Sequence, residues 1–187
     1  MGIEVKPPDV NVSGLDFTAD GNTIRFGLGA VKGVGGSAAQ TIIDARKDGP
    51  FNDLLDLCER IGSNLSRRVL ENLCKSGALD CFGYRRSQIF AVIEEALNLA
   101  QQTSADKAAG QGSLFDMMDD GDSNPMQLEY PDIPEWESAE LLAYEKELLG
   151  FYLTGHPLSE HADTLSTFQL HSIGEILQQE QERSTRT

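Results

Sequence analysis

Residues Val31 to Ala39 constrain the fold more than any other stretch. They read Val-Lys-Gly-Val-Gly-Gly-Ser-Ala-Ala and lie directly before a helix-periodic run. Two glycines around one apolar residue permit a tight turn with backbone angles that other residues rarely adopt. They also remove side chains that would hold the backbone away from a ligand. Val34 is placed to anchor the turn in a core. The free amides of the turn, with those of the first helical turn after it, would form a site for an anion. Lys32, Gly33, Val34, Gly35, Gly36 and Ser37 are therefore candidate binding residues. Ala39 is small enough to let flanking helices pack closely. A connection that binds nothing could use the same glycines, so the turn alone leaves both readings open.

The chain around this turn is predominantly helical in pattern. Val5 to Ser13, with Pro7-Pro8 and alternating valines, predicts an extended lead-in. Phe17-Thr18-Ala19 and Thr23 to Phe26 flank Asp20-Gly21-Asn22, which predicts a two-stranded ribbon. Helices are expected over Ser37–Lys47, Phe51–Ile61, Ser66–Ser76 and Arg85–Gln102, with Asn52 and Ser66 as N-caps. Trp136–Leu149 again has helical spacing, followed by a loop from Gly150 to Pro157. Two short helices and a polar tail are expected after Ser159.

Leu73-Cys74-Lys75-Ser76-Gly77-Ala78-Leu79-Asp80 offers a second helix and turn, with Gly77 at the bend. Leu79 stands where a second glycine would be. This reads as a pseudo-repeat of the first turn, and Lys75, Ser76, Gly77 and Ala78 are its candidate contacts. Arg67, Arg68, Lys75, Arg85 and Arg86 are expected nearby, as ordinary solvated residues or as further contacts.

Residues 103–134 are rich in Asp, Gly, Ser, Asn and Pro, which predicts a flexible acidic linker. Inside it, Gln111-Gly112-Ser113-Leu114-Phe115 carries two large apolar side chains with no local core to join. Either a partner buries Leu114 and Phe115, or they fold back onto their own domain.

The formal net charge of −15 disfavours strong nucleic-acid binding. Basic residues crowd the first half and acidic ones the second, so the chain reads as a mildly basic unit followed by an acidic one. No apolar run approaches the roughly 20 residues of a membrane span. Cys58, Cys74 and Cys81 are odd in number and irregularly spaced, which predicts buried reduced thiols and neither a disulfide framework nor a zinc site. The opening Met1-Gly2-Ile3-Glu4-Val5 reads as a start set on an internal segment.

The turn at Gly33 to Gly35 resembles a helix-hairpin-helix motif, which grips a DNA phosphate through backbone amides without reading bases. Gln111 to Phe115 is similar to the pentapeptide with which bacterial proteins bind the sliding clamp. In this order, the pieces resemble the catalytic alpha subunits of bacterial DNA polymerase III. Pro7-Pro8-Asp9-Val10-Asn11, Ile24-Arg25-Phe26-Gly27-Leu28, Ser76 to Asp80 and the long stretch from Glu145 to Leu158 carry that resemblance.

The resemblance implies a mostly α fold: a tandem helix-hairpin-helix-like domain with a small N-terminal β-hairpin, a flexible acidic linker and a C-terminal helical segment. The expected divisions are 1–30 for the lead-in and hairpin, 31–102 for the helical domain, 103–134 for the linker and 135–187 for the C-terminal segment leading toward an oligonucleotide-binding barrel. It implies a cytoplasmic nucleotidyltransferase as the parent, using magnesium held by palm aspartates that precede this segment. This chain itself is expected to need no cofactor and to be inactive. Implied partners are the backbone of double-stranded DNA, the sliding clamp and other replicase subunits, with no membrane. Competing readings are a helix-hairpin-helix domain of a repair nuclease or ligase, and a non-enzymatic protein-interaction adaptor.

Overall fold

The computed structural model describes residues 2–108 and 128–159. Contacts divide the chain into one unit, Met1–Thr154, and a second, Gly155–Thr187. All strands and helices among the described residues lie in the first unit.

Three short strands open that unit: β1 (Glu4–Lys6), β2 (Thr18–Asp20) and β3 (Thr23–Arg25). β2 and β3 form the expected antiparallel ribbon, turning at Gly21 with φ +57°. The lead-in adds what the sequence pattern did not show. β1 pairs parallel to β3, with Glu4 opposite Thr23 and Lys6 opposite Arg25, so the sheet order is β1-β3-β2. Beyond β1 the lead-in is built into the helical unit. Val10 is fully buried, and its N–H donates to the Ala78 carbonyl at 3.0 Å. Asn11 clamps the backbone of Phe51 from both sides: its Nδ2 donates to the Phe51 carbonyl (2.9 Å) and its Oδ1 accepts from the Phe51 N–H (2.7 Å).

Five helices follow: α1 (Gly35–Ala45), α2 (Leu54–Ile61), α3 (Arg67–Lys75), α4 (Arg86–Ala108) and α5 (Ser138–Leu149). Their apolar faces meet in one core. Ile42 of α1, Leu54 and Leu57 of α2, Leu70 and Leu73 of α3, and Ile89 and Ile93 of α4 are all fully buried. Each such side chain contributes about 1.5–3 kcal/mol of burial free energy. α4 lies at the centre of this core, against both α2 and α3.

Several boundaries differ from the sequence expectation, each for a local reason. α2 is capped by Asp53, not Asn52. The Asp53 carboxylate accepts from the Asp56 N–H (2.8 Å), while Asp56 in turn accepts from the Asn52 N–H (2.9 Å). α4 continues through Thr103 to Ala108, into the stretch expected to be linker. At the other end of that stretch, residues 128–134 are docked. Tyr130 stacks on Tyr84 at 3.7 Å, Arg85 donates to the Ile133 carbonyl (2.8 Å), and Gln88 donates to the Pro131 carbonyl (2.8 Å). Glu135 then caps the start of α4 from outside, accepting from the N–H groups of Arg86 (2.7 Å) and Ser87 (3.0 Å). Finally, α5 packs on α3 within the unit Met1–Thr154.

Candidate nucleic-acid interface

The first glycine turn has the geometry its sequence implies. A 3-10 turn, Leu28–Ala30, leads in, and α1 leads out. Gly33 and Gly35 hold φ of +81° and +71°, which L side chains rarely adopt. Val34, between them, is buried at 3% exposure and closes the turn through its N–H to the Val31 carbonyl (3.1 Å). Lys32, Gly33, Gly35, Gly36 and Ser37 are exposed. Among the described residues no side chain caps α1, and the amides of its first turn at Gly35, Gly36 and Ser37 lack intrahelical partners. A Cβ built on Gly35 or Gly36 meets nothing within 4 Å. Among the described residues, nothing covers the tip at Gly35 and Gly36, which is an open donor surface.

Two neighbours hold the turn in place. Asn72 of α3 donates through Nδ2 to the Lys32 carbonyl (3.2 Å). The Lys32 N–H donates to the Leu148 carbonyl at the end of α5 (3.0 Å). Gly33 is further required by contact, since a Cβ there would collide with Asn72 Nδ2. α5 is itself secured by a buried charge. Glu145 is 1% exposed, and its carboxylate accepts from the N–H groups of Leu153 (2.8 Å) and Thr154 (3.1 Å). The sequence stretch beginning at Glu145 thus serves as a brace for the turn.

The second turn is built quite differently. Ser76 and Ala78 are fully buried, and Gly77 is buried with φ +82°. Its amides are already committed: Ser76 N–H to the Asn72 carbonyl (3.0 Å), Gly77 N–H to Cys74 (3.0 Å) and Ala78 N–H to Leu73 (2.9 Å). The Ser76 hydroxyl donates to the Leu73 carbonyl (3.0 Å). Lys75 lays its ammonium over the rings of Tyr144 (4.7 Å) and Phe90 (5.0 Å). The amides of Ser76, Gly77 and Ala78 therefore present no free donor to a phosphate, and this turn is an interior joint. Arg86 fills it. A Cβ on Gly77 would collide with the Arg86 guanidinium, which bonds Asp80 (2.7 Å) and lies 3.7 Å from Glu145. Burial opposes the charge on Arg86. The hydrogen bonds and charge of Asp80, with the charge of Glu145, nevertheless raise its pKa above the ordinary arginine value.

The charge pattern also departs from expectation. The first 102 residues hold eleven Lys and Arg against thirteen Asp and Glu, so that stretch is near neutral and not mildly basic. Most of its cations are committed as well. Arg46 donates to the Val10 carbonyl (2.9 Å), Arg60 to those of Gly49 (2.8 Å) and Pro50 (3.1 Å), and Arg67 to Glu71 and Glu94 (both 2.8 Å). Cys58 and Cys74 are buried, and Cys81 is exposed, contrary to expectation.

Gln111, Gly112, Ser113, Leu114 and Phe115 lie outside the described residues. Among the described residues, no group of three or more His, Cys, Asp or Glu is arranged to hold a metal ion. No helix among them is long and apolar enough to cross a membrane. Neither Asn72 nor Arg86 carries a local sequence signal for its role, because each role is set by a contact across the fold.

Residues 2–89 match a family described as the helix-hairpin-helix motif, a span that takes in the sheet, both turns and the start of α4. Over a longer span, the chain is 41% identical to DNA polymerase III subunit alpha of Neisseria meningitidis serogroup A across 185 residues, 97% of this chain. This chain matches one segment of DNA polymerase III subunit alpha. The same protein in Vibrio cholerae is 39% identical across 171 residues, and in Mycobacterium tuberculosis 41% across 171. The chain spans 16%, 15% and 14% of these three alpha subunits, so it corresponds to a small part of each. The fold class expected from the resemblance, mostly helical with a small sheet and a helix-hairpin-helix unit, is the one found.

Proposed function

We propose that this chain is the duplex-contacting and clamp-tethering segment of a bacterial replicative DNA polymerase subunit. The observation that carries the duplex contact is the exposed tip at Gly35 and Gly36. Among the described residues its amides are uncapped and uncovered by any side chain, and Val34 anchors it from below. Backbone amides at a helix start favour a phosphate through both hydrogen bonding and the helix dipole. Such a contact reads no base edge, so it positions without selecting sequence.

The second part of the proposal is the tether. Gln111 to Phe115 would dock on the sliding clamp, with Leu114 and Phe115 filling an apolar cleft and Gln111 making polar contacts. A weak peptide contact of this kind raises the effective concentration of polymerase at the primer end. The parent would be a DNA-directed DNA polymerase with its catalytic aspartates elsewhere, and this segment would hold product duplex behind the active site. Support for the polymerase setting comes from the alpha-subunit relatives over 89–97% of the chain.

Fluorescence anisotropy with two duplexes of unrelated sequence tests the first part. Equal affinities that fall steeply with salt are expected, and a clear preference for one sequence would refute the mode. A pull-down with the cognate clamp tests the second. Leu114→Ala with Phe115→Ala should abolish capture, and undiminished capture would sink the tether.

A further inference from the structure

The proposed duplex contact leaves one cation of α3 unexplained. α3 meets the turn through Asn72, whose Nδ2 holds the Lys32 carbonyl at 3.2 Å. Arg68 stands four residues earlier on the same helix, so it lies on the same face, one turn away. Two exposed cations thus stand near Asn72 in the fold: Lys32, whose carbonyl it holds, and Arg68, one turn away on its own helix.

What separates these two from the neighbouring cations is commitment. Arg67, adjacent to Arg68, is drawn away by Glu71 and Glu94, both at 2.8 Å. Arg85 is held by Asp132 and Arg86 by Asp80, while Lys75 rests on aromatic rings. Among the described residues, the side chains of Lys32 and Arg68 make no ion pair or hydrogen bond, although Glu71 sits one turn from Arg68. Glu71 is already bonded to Arg67. An exposed arginine held to no carboxylate keeps all five donors available, in a fork that matches phosphate oxygens.

We propose that Arg68 binds a second phosphate of the strand gripped at Gly35 and Gly36, so that α3 and the turn together hold consecutive phosphates. The inference rests on the hairpin reading and extends it to a residue outside the turn. Two phosphate contacts joined by a rigid helix fix the direction of the strand across the surface, which one contact alone cannot do. Asn72 is then the rigid link between them, since it ties the turn to α3.

The test is duplex binding by the whole chain as a function of salt, for Arg68→Gln, Arg67→Gln and Gly36→Leu. Loss of one phosphate contact should lower the slope of log affinity against log salt by about 0.9. Arg68→Gln should show that drop with a several-fold loss of affinity. Arg67→Gln, whose guanidinium is already occupied, should keep the wild-type slope. If Arg68→Gln keeps the wild-type slope while Gly36→Leu loses binding, the Arg68 assignment is wrong and the hairpin reading stands. If Gly36→Leu binds like wild type, or the chain binds no duplex, the hairpin reading fails and the assignment falls with it. A drop for Arg67→Gln equal to that for Arg68→Gln would reduce the effect to general charge and overturn the specific contact.

Discussion

Asn72 and Lys32 tie a helix to a turn forty residues away in sequence: the amide nitrogen of Asn72 donates to the Lys32 carbonyl at 3.2 Å. The same amide lies where a Cβ on residue 33 would go. The turn is therefore shaped by what packs against its inner side, while its outer side stays bare.

This asymmetry predicts opposite results for two glycines three residues apart. Gly33→Ala faces a positive φ and the Asn72 amide, and should destabilise the fold by about 1–3 kcal/mol. Gly36→Ala has open space and an ordinary φ within a helix, and should be neutral within about 0.5 kcal/mol or slightly stabilising. Urea denaturation of the two variants checks this, and equal losses would show that the tip is packed.

The interior joint at the second turn predicts a contrast between arginines. Arg86→Ala removes a guanidinium whose side chain is 8% exposed and leaves Glu145 without it, so it should cost about 3–5 kcal/mol. Arg67→Ala breaks only solvent-exposed pairs and should leave stability close to that of wild type. Thermal melting separates the two, and similar losses would mean that the joint carries no special weight.

Acid should act partly through Glu135. Burial pushes its carboxyl up, but hydrogen bonds from the amides of Ser87, Trp136 and Arg86 outweigh that and hold it below the usual 4.5. A depressed folded pKa gives stability that is present above about 4.5 and is lost as pH falls through the folded value. Glu135→Gln should therefore be less stable than wild type at pH 7, with the gap closing on acidification below pH 4.5. A gap independent of pH would show that the charge of Glu135 adds nothing.

Thiol chemistry should distinguish the three cysteines. Burial raises the Cys58 thiol to about 12 and the Cys74 thiol further still. Cys81 is exposed, although burial of its sulfur also pushes it up to about 12. An aromatic disulfide reagent should label Cys81 slowly in the folded chain, and all three only after unfolding. Rapid labelling of Cys58 or Cys74 under native conditions would contradict a core that encloses both.

Features set by neighbouring residues were legible in the sequence. Gly33-Val34-Gly35 announces its turn because the backbone angles and the apolar anchor are local requirements, and Ser66 caps α3 as its position suggests. What escaped was set by distant contacts. Asp53 displaces Asn52 as the cap of α2 because Asp56 bonds both residues. Ser76-Gly77-Ala78 resembles a phosphate turn, yet Arg86 and Asp80 occupy its space. β1 pairs with a strand almost twenty residues away, which no alternation within Val5 to Ser13 reveals. The docking of residues 128–134 depends on Arg85, Ser87 and Gln88 collecting carbonyls from an otherwise polar stretch.

If the bare tip of the first turn grips the DNA backbone, a side chain placed on that tip must block it. Duplex affinity of Gly36→Leu, measured by anisotropy beside a urea curve for the same protein, tests this most directly. The expected result is near wild-type stability with at least a tenfold loss of affinity, about 1.4 kcal/mol. A folded Gly36→Leu protein that binds duplex as tightly as wild type would contradict the grip.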